Sequence, residues 1–516
     1  MIPVLTPGQS SDWDARASRG GIPLHTLMET AGRAVAAIAA ERFAEPLSRG
    51  ALVAAGPGNN GGDGWVVARA LHAAGAAVWV AQAGEPAGDL PRTMARLARE
   101  AGVRELAADG PWPAVGLVID ALLGTGGKLP LREPITGLAA RLADLAVPIL
   151  AVDGPTGLGL EDGVQHGPFR ATLTVTFGGC RRGHLLARDE IGDLVVADIG
   201  LPAPDPAWPL LFTDARAAER LGRLEAGATK WDRGRIAVVG GDAGMTGAAR
   251  MAARAAFATG AGLVHVVAPR ASVQTIRQAE PDVQTVEQEF DAPLTDAARA
   301  LLERCDAVVA GPGLGRDPSR VELVERVVAA AGSAGLVLDA DALMAFGGKA
   351  GALERLLAGR RALLTPHAGE FRAIQPEDAS VIAVDPWGAA SRAAARLGAV
   401  VLLKGVPTVV ADPGGAVLTV AAGNPGLATG GSGDTLSGVA AVFLGQGIEP
   451  RYAAALAAQA LGDAGDFAAR RTSARAMRPM DVIAALPDVW RRWDRLRETG
   501  GVHPPILHEL PAPTGT

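Results

Sequence analysis

The stretch GNPGLATGGSGDTLSG, residues 423–438, carries the strongest structural signal in the chain. The glycines of its GGSG segment, residues 430–433, allow backbone conformations that aim several amide groups at one point. The apolar run VAAVFL follows at residues 439–444 and predicts a helix that begins near Gly433. The free N–H groups and the positive dipole end of that helix would form a phosphate-binding site.

Asp434 lies in the predicted first turn of this helix, where the dipole favours its ionised form. A carboxylate beside a bound phosphoryl group can take a proton from an attacking hydroxyl, so we expect Asp434 to be a catalytic base. The alternative is a helix-capping aspartate, because Asp is common at helix starts. The glycine context favours the catalytic interpretation.

The pattern of strand, glycine turn and helix recurs along the whole chain, which predicts an α/β protein with parallel sheets covered by helices. A helix is predicted at residues 65–74. Buried strands are predicted at residues 51–55, 116–120, 148–153, 235–240, 306–310, 335–339, 362–365 and 399–403. Asp120 and Asp153 end two of these strands, where ligands gather in open α/β sheets.

The proline-rich segment LPAPDPAWP, residues 201–209, predicts a break between two domains, as expected for 516 residues. We therefore predict an N-terminal domain at residues 1–212, a linker at 213–224 and a C-terminal domain at 225–495. The tail, residues 496–516, is rich in Pro and Gly and is predicted to be disordered.

Composition argues against several classes of function. The net charge of −6 gives no basic surface for nucleic acid or an anionic membrane. The two cysteines, Cys180 and Cys305, are far apart and lack metal-ligand spacing, so neither a disulfide framework nor a zinc site is expected. No signal peptide or membrane span is recognisable, and a cytoplasmic location is expected.

A second glycine-rich loop, GPGNNGGDG at residues 56–64, follows a predicted strand and opens a predicted helix. It contains the G-x-G-x-x-G spacing of dinucleotide sites. The ordinary form of that site also needs a carboxylate at the end of the second strand, and residues 78–82, VWVAQ, supply none. The loop is therefore predicted to bind a phosphate at the helix start, but not to form an ordinary NAD-binding site.

The motifs of the first half resemble the NAD(P)H-hydrate epimerase (YjeF N-terminal) family, whose members have a Rossmann-like three-layer α/β/α fold. The resemblance spans nearly all of residues 1–210. It rests on GPGNNGGDG together with LMETAG (27–32), DALLGTG (120–126), VDGPTG (152–157), TVTFG (174–178) and DIGLP (198–202).

This resemblance implies that two loops, residues 59–63 and 124–130, hold the hydrated nucleotide. It also implies that Asn60, Asp120 and Thr156 hold K⁺. Oxygen ligands of this kind suit a hard cation. Asp153 would be the substrate carboxylate and the acid–base group; alternatively, Asp120 and Asp153 are structural carboxylates at strand ends. Two residues differ from the usual family sequence: Gly154 stands in the place of an apolar residue, and Thr156 stands in the place of a serine. The implied substrate residues are Asn59, Asn60, Gly61, Gly62, Asp63, Gly124, Thr125, Gly126, Gly127, Lys128, Leu129, Pro130 and Asp153.

The motifs of the second half resemble the ribokinase-like superfamily and, within it, the ADP-dependent NAD(P)H-hydrate dehydratases, over residues 225–490. Besides residues 423–438, they are VGGDAGMTGA (239–248), GAGLV (260–264), GPGLG (311–315), LDADAL (338–343), LTPHAGEF (364–371) and LKGVPT (403–408). Asp242 and Met344 stand where this family usually has Ser and Asn.

The resemblance implies that this half binds ADP with Mg²⁺ and a hydrated nucleotide. The nucleotide residues would be Lys404, Gly405, Val406, Pro407, Thr408 and Gly433, and the hydrate residues Ala248, Gly313, His367 and Asp434. His367 is expected to contact substrate; the alternative is a core histidine.

The two resemblances together imply a bifunctional repair enzyme and a homo-oligomer. It would epimerise the hydrates of NADH and NADPH (NADHX and NADPHX) and dehydrate the S-form with ADP, releasing AMP and phosphate. The alternative is a ribokinase-like kinase of small vitamin alcohols fused to a non-catalytic nucleotide-binding module. The epimerase-like half and the sequence TPHAGEF favour the repair enzyme.

Overall fold

The computed structural model describes residues 2–499 and 506–514, and they divide into two compact units. Unit 1 contains residues 2–208 and the tail segment 506–512. Unit 2 begins at residue 209. The division falls inside the proline-rich segment 201–209.

Unit 1 contains a parallel sheet. Before residue 208 its strands are β1 (Ile2–Leu5), β2 (Ala51–Ala55), β3 (Val78–Gln82), β4 (Arg104–Leu106), β5 (Leu117–Ala121), β6 (Ile149–Val152), β7 (Leu173–Phe177), β8 (Cys180–Arg181) and β9 (Asp193–Ala197). Seven of these described strands are parallel in the order β9-β7-β6-β5-β2-β3-β4, while β1 pairs in parallel with β8.

Helices cover both faces of this sheet, because alternate residues of each strand point to opposite sides. Val53 of β2 packs into one apolar core and its neighbour Leu52 into another. The predicted three-layer α/β/α arrangement is thereby confirmed for this unit. The helices are α1 (Pro7–Arg19), α2 (Leu24–Arg42), α3 (Ala44–Ser48), α4 (Asn59–Ala73), α5 (Asp89–Glu100), α6 (Ile135–Ala143), α7 (Arg182–Leu186) and α8 (Arg188–Ile191).

Helix α4 begins earlier than predicted, at Asn59 instead of Trp65, so the glycine-rich loop forms its first turns. Close packing explains the difference. A methyl group on Gly61 would lie 1.8 Å from the carbonyl oxygen of Gly56, and one on Gly64 would lie 2.6 Å from Cβ of Ala121. These glycines let the helix start lie directly against the sheet.

Unit 2 is also α/β. Its strands are β10 (Leu210–Leu211), β11 (Arg235–Val239), β12 (Leu263–Ala268), β13 (Gln284–Glu287), β14 (Ala307–Ala310), β15 (Gly335–Leu338), β16 (Ala362–Leu364), β17 (Val400–Leu403), β18 (Thr408–Ala411) and β19 (Val417–Val420). Their order is β13-β12-β11-β14-β15-β16-β17-β18-β19-β10, and β18 runs antiparallel to both of its neighbours.

Several helices of unit 2 share one large core with its sheet, to which β11 contributes Ile236 and Val238. Between them, Ala237 is also fully buried, so both faces of the sheet are covered. The helices are α9 (Asp214–Arg220), α10 (Thr246–Thr259), α11 (Arg270–Ala279), α12 (Asp296–Leu302), α13 (Arg320–Ala330), α14 (Asp341–Ala345), α15 (Ala350–Leu357), α16 (Ala368–Ile374), α17 (Pro386–Leu397), α18 (Ser432–Gly445), α19 (Pro450–Arg471) and α20 (Pro479–Glu498).

The segment predicted as a linker, residues 213–224, is instead partly helical and belongs to unit 2. Thr213 caps α9, accepting a hydrogen bond from Arg216 N. Arg497 of α20 donates to the carbonyl oxygens of Ala218 and Leu221 at 3.0 and 2.7 Å. Contacts with a helix almost 280 residues away therefore determine this structure, and local composition does not show them.

The tail predicted to be disordered, residues 496–516, also contains structure. Residues 496–498 finish α20, and β20 (Leu507–Leu510) pairs antiparallel with β9, the edge strand of unit 1. An edge strand has unpaired backbone groups, which explains how a short segment can add to the sheet. Residues 500–505 and 515–516 of this prediction lie outside the described residues.

Candidate active sites

A cavity of about 470 Å³ lies in unit 1 at the carboxyl ends of β2, β5, β6 and β7. The switch-point edge of an open α/β sheet is where ligands are expected. Its wall includes Gly58, Asn59, Asn60, Asp63, Gly124, Thr125, Gly126, Gly127, Asp153 and Arg181, together with Asp14 and apolar residues of α1 and α2.

Asp153 is the most firmly held side chain of this cavity. It directly follows β6 and has φ +65°, a conformation that is uncommon outside glycine. Oδ2 accepts hydrogen bonds from N and Oγ1 of Thr125 at 2.7 and 2.5 Å. Oδ1 accepts from Thr176 Oγ1 at 3.0 Å and from Arg181 Nη2 at 3.1 Å. Each carboxylate oxygen therefore has two donors.

Electrostatics keep Asp153 ionised. Burial would raise its pKa, but the Arg181 guanidinium, the Thr125 hydrogen bonds and nearby His184 outweigh burial and hold the pKa below its usual value. Arg181 is itself buried and also donates to Thr125 Oγ1 at 2.9 Å and to the carbonyl of Gly179 at 2.7 Å.

The remaining predicted residues of this site separate into two groups. Asn59, Asn60, Asp63 and residues 124–127 line the cavity, as expected of substrate contacts. Gly61 and Gly62 are buried and serve the close packing of α4, while residues 128–130 are not among its lining residues. Burial and the neighbouring charges of Asp153 and Asp14 raise the Asp63 pKa well above its usual value.

Sequence reasoning missed Arg181 and Asp14. Arg181 follows the end of β7 closely, so the rule that ligands gather at strand ends could have found it. Asp14 lies on α1, and nothing in its local sequence shows that this helix reaches the cavity.

The proposed K⁺ ligands are only partly brought together. Thr156 N and Oγ1 each donate to the fully buried Asp120 at 2.7 Å, so the threonine hydroxyl occupies the place of the usual serine. Asn60 lies beside Gly124, since a methyl group there would come within 2.9 Å of Asn60 Oδ1. Burial raises the Asp120 pKa to about 6, and its hydrogen bonds come from Thr156 and Leu122 N, with no basic side chain. A buried carboxylate without a counter-charge fits a bound cation.

Gly154, the other departure in this loop, is compactly packed. A methyl group at this position would lie 2.6 Å from Leu160 Cδ2, so Leu160 fills the space that a larger side chain would take.

The GGSG segment of unit 2 forms the predicted helix start. Gly431 has φ +101° and caps α18, which begins at Ser432. A methyl group on Gly433 would lie 3.2 Å from Lys404 Nζ, so the amino group lies directly against the helix terminus. Backbone amides, a dipole end and an ammonium group thus converge, as a phosphate site requires.

Lys404 is part of a polar network at the carboxyl ends of β15, β16 and β17. Its Nζ contacts Asp339 Oδ1 at 2.9 Å and Glu370 Oε2 at 3.5 Å. Ser437 of α18 donates to the other oxygen of Asp339 at 2.6 Å. Burial alone would lower the Lys404 pKa, but the charges of Asp339 and Glu370 raise it above its usual value, so the amine stays protonated.

Asp434 lies in the first turn of α18, as predicted, but its pKa is shifted in the direction opposite to the expectation. The dipole argument predicted a carboxylate favoured in its ionised form. Burial, followed by the charge of Asp339, instead raises its pKa to about 6, although Lys404 partly opposes the shift. At neutral pH the group is still mostly ionised, and a pKa near 6 suits a general base.

The predicted hydrate residues of unit 2 form two groups: Ala248 lies beside Gly313, while His367 and Asp434 lie around Lys404. A methyl group on Gly313 would lie 3.2 Å from Ala248 Cβ. The side chain of His367 is 57% exposed, which excludes the alternative of a core histidine. Its Nδ1 accepts from Gly369 N and Glu370 N, and its backbone bridges to Lys404.

Asp242, at the position of the usual serine, has a specific partner. Arg320 Nη2 donates to Asp242 Oδ2 at 2.8 Å, while Arg320 Nε donates to the carbonyl of Leu314. The pair connects the loop before α10, the helix that carries Ala248, with the loop that contains Gly313. Residues 404–407 form the turn between β17 and β18, in which Val406 is 69% exposed, and Thr408 begins β18.

Comparison with known proteins relates the two halves of the chain to two domain families. Residues 24–183 match the family model of the YjeF-related protein N-terminus, and residues 236–488 match that of NAD(P)H-hydrate dehydratase. The bifunctional NAD(P)H-hydrate repair enzyme Nnr of Pyrobaculum aerophilum is 36% identical over 497 residues, which cover 93% of this chain and 96% of that protein. This chain belongs to the bifunctional NAD(P)H-hydrate repair enzyme family.

Other members of the repair-enzyme family match over similar lengths. The Nnr enzyme of Escherichia coli K12 is 36% identical over 482 residues, covering 90% of this chain and 89% of that protein. A solved structure, the ADP/ATP-dependent NAD(P)H-hydrate dehydratase of Bacillus subtilis co-crystallised with ATP and Mg²⁺, is 27% identical with a TM-score of 0.50. The match covers 55% of this chain and 99% of that protein, and it confirms the predicted ribokinase-like fold. Within the described residues, no helix is long and apolar enough to cross a membrane.

Proposed function

We propose that this protein repairs hydrated nicotinamide nucleotides in two steps. Unit 1 interconverts the R- and S-forms of NADHX and NADPHX. Unit 2 dehydrates the S-form with ADP and releases AMP and phosphate. The observation that carries the proposal is that Asp434 and Lys404 both lie at the amide-rich start of α18, where a phosphoryl group and a hydroxyl can meet.

Hydroxide is a poor leaving group at neutral pH, so dehydration needs activation of the C6 hydroxyl. Asp434 takes the proton of this hydroxyl. The hydroxyl oxygen then attacks the terminal phosphoryl group of ADP, and AMP is released. The C6–O bond then breaks to release phosphate. Loss of a proton from C5 forms the C5=C6 double bond and restores the dihydropyridine. The amides at the start of α18 and the Lys404 ammonium stabilise the phosphoryl charge.

Mg²⁺ fits this site as a companion of the nucleotide. Within the described residues, no group of three or more His, Cys, Asp or Glu side chains is placed to hold a metal by itself. Such an ion is commonly held mainly by phosphates and water. The site has more negative than positive side chains, since Lys404 is accompanied by four carboxyl groups, those of Asp339, Asp341, Glu370 and Asp434. A cation beside the anionic nucleotide would balance this negative charge. When bound, Mg²⁺ would neutralise charge on the phosphates.

K⁺ would be held in unit 1 by Asp120, Thr156 and Asn60. Support comes from the buried Asp120 carboxylate and from its hydrogen bonds with Thr156. The ion would supply the counter-charge of Asp120 and stabilise the residues after β5, which include substrate contacts at 124–127.

The test measures repair of each purified epimer of NADHX and NADPHX by the full chain, with ADP or ATP. We expect the nicotinamide absorbance to return directly with the S-form and, after epimerisation, also with the R-form. ADP should be the better co-substrate. If no hydrate is repaired with either nucleotide, and a small vitamin alcohol is phosphorylated instead, the proposal is wrong.

A cytoplasmic location and a homo-oligomeric assembly belong to the same proposal. Small-molecule substrates, and neither nucleic acid nor membrane, are the expected partners. Light scattering of the purified chain would measure the oligomeric state directly.

A further inference from the structure

The hydrogen bonds of Asp153 leave this carboxylate little capacity to accept another proton. An ionised carboxylate offers about four lone-pair positions. Thr125 occupies two of them, through its amide and its hydroxyl, and Thr176 and Arg181 occupy the others. A proton placed on Asp153 would displace one of these donors and leave the buried Arg181 guanidinium without its counter-charge.

Asp63 stands in contrast on the same cavity wall. Asp63 lines the cavity from the first turns of α4, and no described residue gives its carboxyl a hydrogen bond or an ion pair. The ionisable side chains in the described wall of the cavity are Asp14, Asp63, Asp153 and Arg181. Burial, Asp153 and Asp14 raise the pKa of Asp63 well above its usual value, with no opposing basic group. Two carboxyl groups in one site with opposite pKa shifts are typical of a divided acid–base function.

We propose that Asp63 transfers the proton during epimerisation, while Asp153 remains ionised and acts through its fixed charge. This inference rests on the epimerase function proposed above and changes the expectation that Asp153 is itself the acid–base group.

The reaction balances without a further reagent. Asp63 gives its proton to the C6 hydroxyl, the C6–O bond breaks to release water, and the lone pair of N1 forms an N1=C6 double bond. The resulting iminium cation carries the positive charge that the Asp153 carboxylate stabilises. Water then adds to the opposite face of C6, and its proton returns to Asp63. The net change is inversion at C6.

The test compares wild type with Asp63→Asn and Asp63→Glu in the full chain, with purified R-NADHX and without ADP. Formation of the S-form is followed by chromatography. For Asp63→Asn we expect kcat to fall at least about 100-fold, the usual contribution of a general acid, with little change in KM. Asp63→Glu retains a proton and should recover part of kcat. Dehydration of S-NADHX with ADP checks that the variants are folded and should be unchanged.

Asp12→Asn is the matched control, because Asp12 is an exposed carboxyl on α1 that does not line the cavity. It should keep kcat near the wild-type value. The rate should fall as the pH rises through the pKa of Asp63. Since Asp14 raises that pKa, the loss of rate in Asp14→Asn should begin at a lower pH than in wild type.

The outcomes separate the two proposals. If wild type does not interconvert the epimers, the proposed epimerase function is wrong. If wild type is active and Asp63→Asn keeps its kcat, or changes KM alone, Asp63 binds substrate without transferring the proton and this inference is overturned. Loss of kcat in Asp14→Asn with an active Asp63→Asn would also overturn it.

Discussion

Arg181 Nη2 donates to Oδ1 of Asp153 at 3.1 Å, and the two side chains are only 4% and 9% exposed. The same guanidinium donates to Thr125 Oγ1 and to the carbonyl of Gly179, so each of its three nitrogens donates a hydrogen bond. Arg181 therefore connects the loop after β5 with the carboxylate after β6. A buried pair of this kind is costly to break, because removing one partner leaves the other charge uncompensated.

We predict that Arg181→Gln destabilises unit 1 strongly. Breaking a buried ion pair from one side typically costs about 3–5 kcal/mol, whereas an exposed pair contributes under about 1 kcal/mol. Arg170→Gln is the matched control, since the Arg170–Glu190 pair is 3.2 Å long and the Arg170 side chain is 70% exposed. Calorimetry of the full chain should show a much larger drop in melting temperature for Arg181→Gln. Equal shifts for the two variants would contradict the buried-pair interpretation.

Asp153 and Asp434, the carboxylates proposed to act in the two different reactions, should be separable by mutation. Asp153→Asn removes the charge that acts on the hydrate ring, so epimerisation should fall at least about 100-fold while dehydration of the S-form persists. Asp434→Asn removes the base for the C6 hydroxyl and should produce the opposite pattern, with a loss of similar size. The assay follows epimer conversion without ADP and absorbance recovery with ADP. A folded variant that loses both activities would show that the two-site assignment is wrong.

Local sequence patterns predicted most of the sheet framework. The predicted strand at 51–55 has the bounds of β2, and the helix after the GGSG segment begins within a residue or two of its predicted start. Strands of this kind are near-continuous runs of Ala, Val, Leu and Ile between glycine turns, so their signal is local. Local patterns could not show that α9 packs against Arg497 or that β20 joins β9, because both depend on distant partners.

The candidate sites were predictable in position but not in electrostatics. Strand-end carboxylates and the glycine-rich helix start were visible in the sequence. The pKa of Asp434 was not, because Asp339, which follows β15, and Glu370 of α16 approach it from distant parts of the chain. Asp14 was missed for the same reason, since the cavity wall that contains it is formed by tertiary packing.

The rate of dehydration should fall as the pH drops through about 6. Asp434 must be ionised to accept a proton, and burial followed by the charge of Asp339 raises its pKa to that value. Lys404 lowers this pKa, so Lys404→Gln should move the loss of activity to higher pH, measured as kcat with saturating ADP. Lys349→Gln is the control, because Lys349 is exposed and directly precedes α15. Profiles that coincide for wild type and Lys404→Gln would exclude Asp434 as the titrating base.

Gly431→Ala should disrupt the phosphate site. Gly431 has φ +101°, and a methyl group there would lie 2.6 Å from Sδ and Cε of Met251. The backbone conformation alone costs an L-residue about 1–2 kcal/mol, and the contact requires Met251 to move. Nucleotide affinity, measured by calorimetric titration with ADP, should therefore fall at least about 10-fold, the equivalent of 1.4 kcal/mol. Gly430→Ala is the matched control, because it has no such φ and no atom within 4 Å of the added methyl. Unchanged ADP affinity in Gly431→Ala would show that the start of α18 does not hold the phosphate.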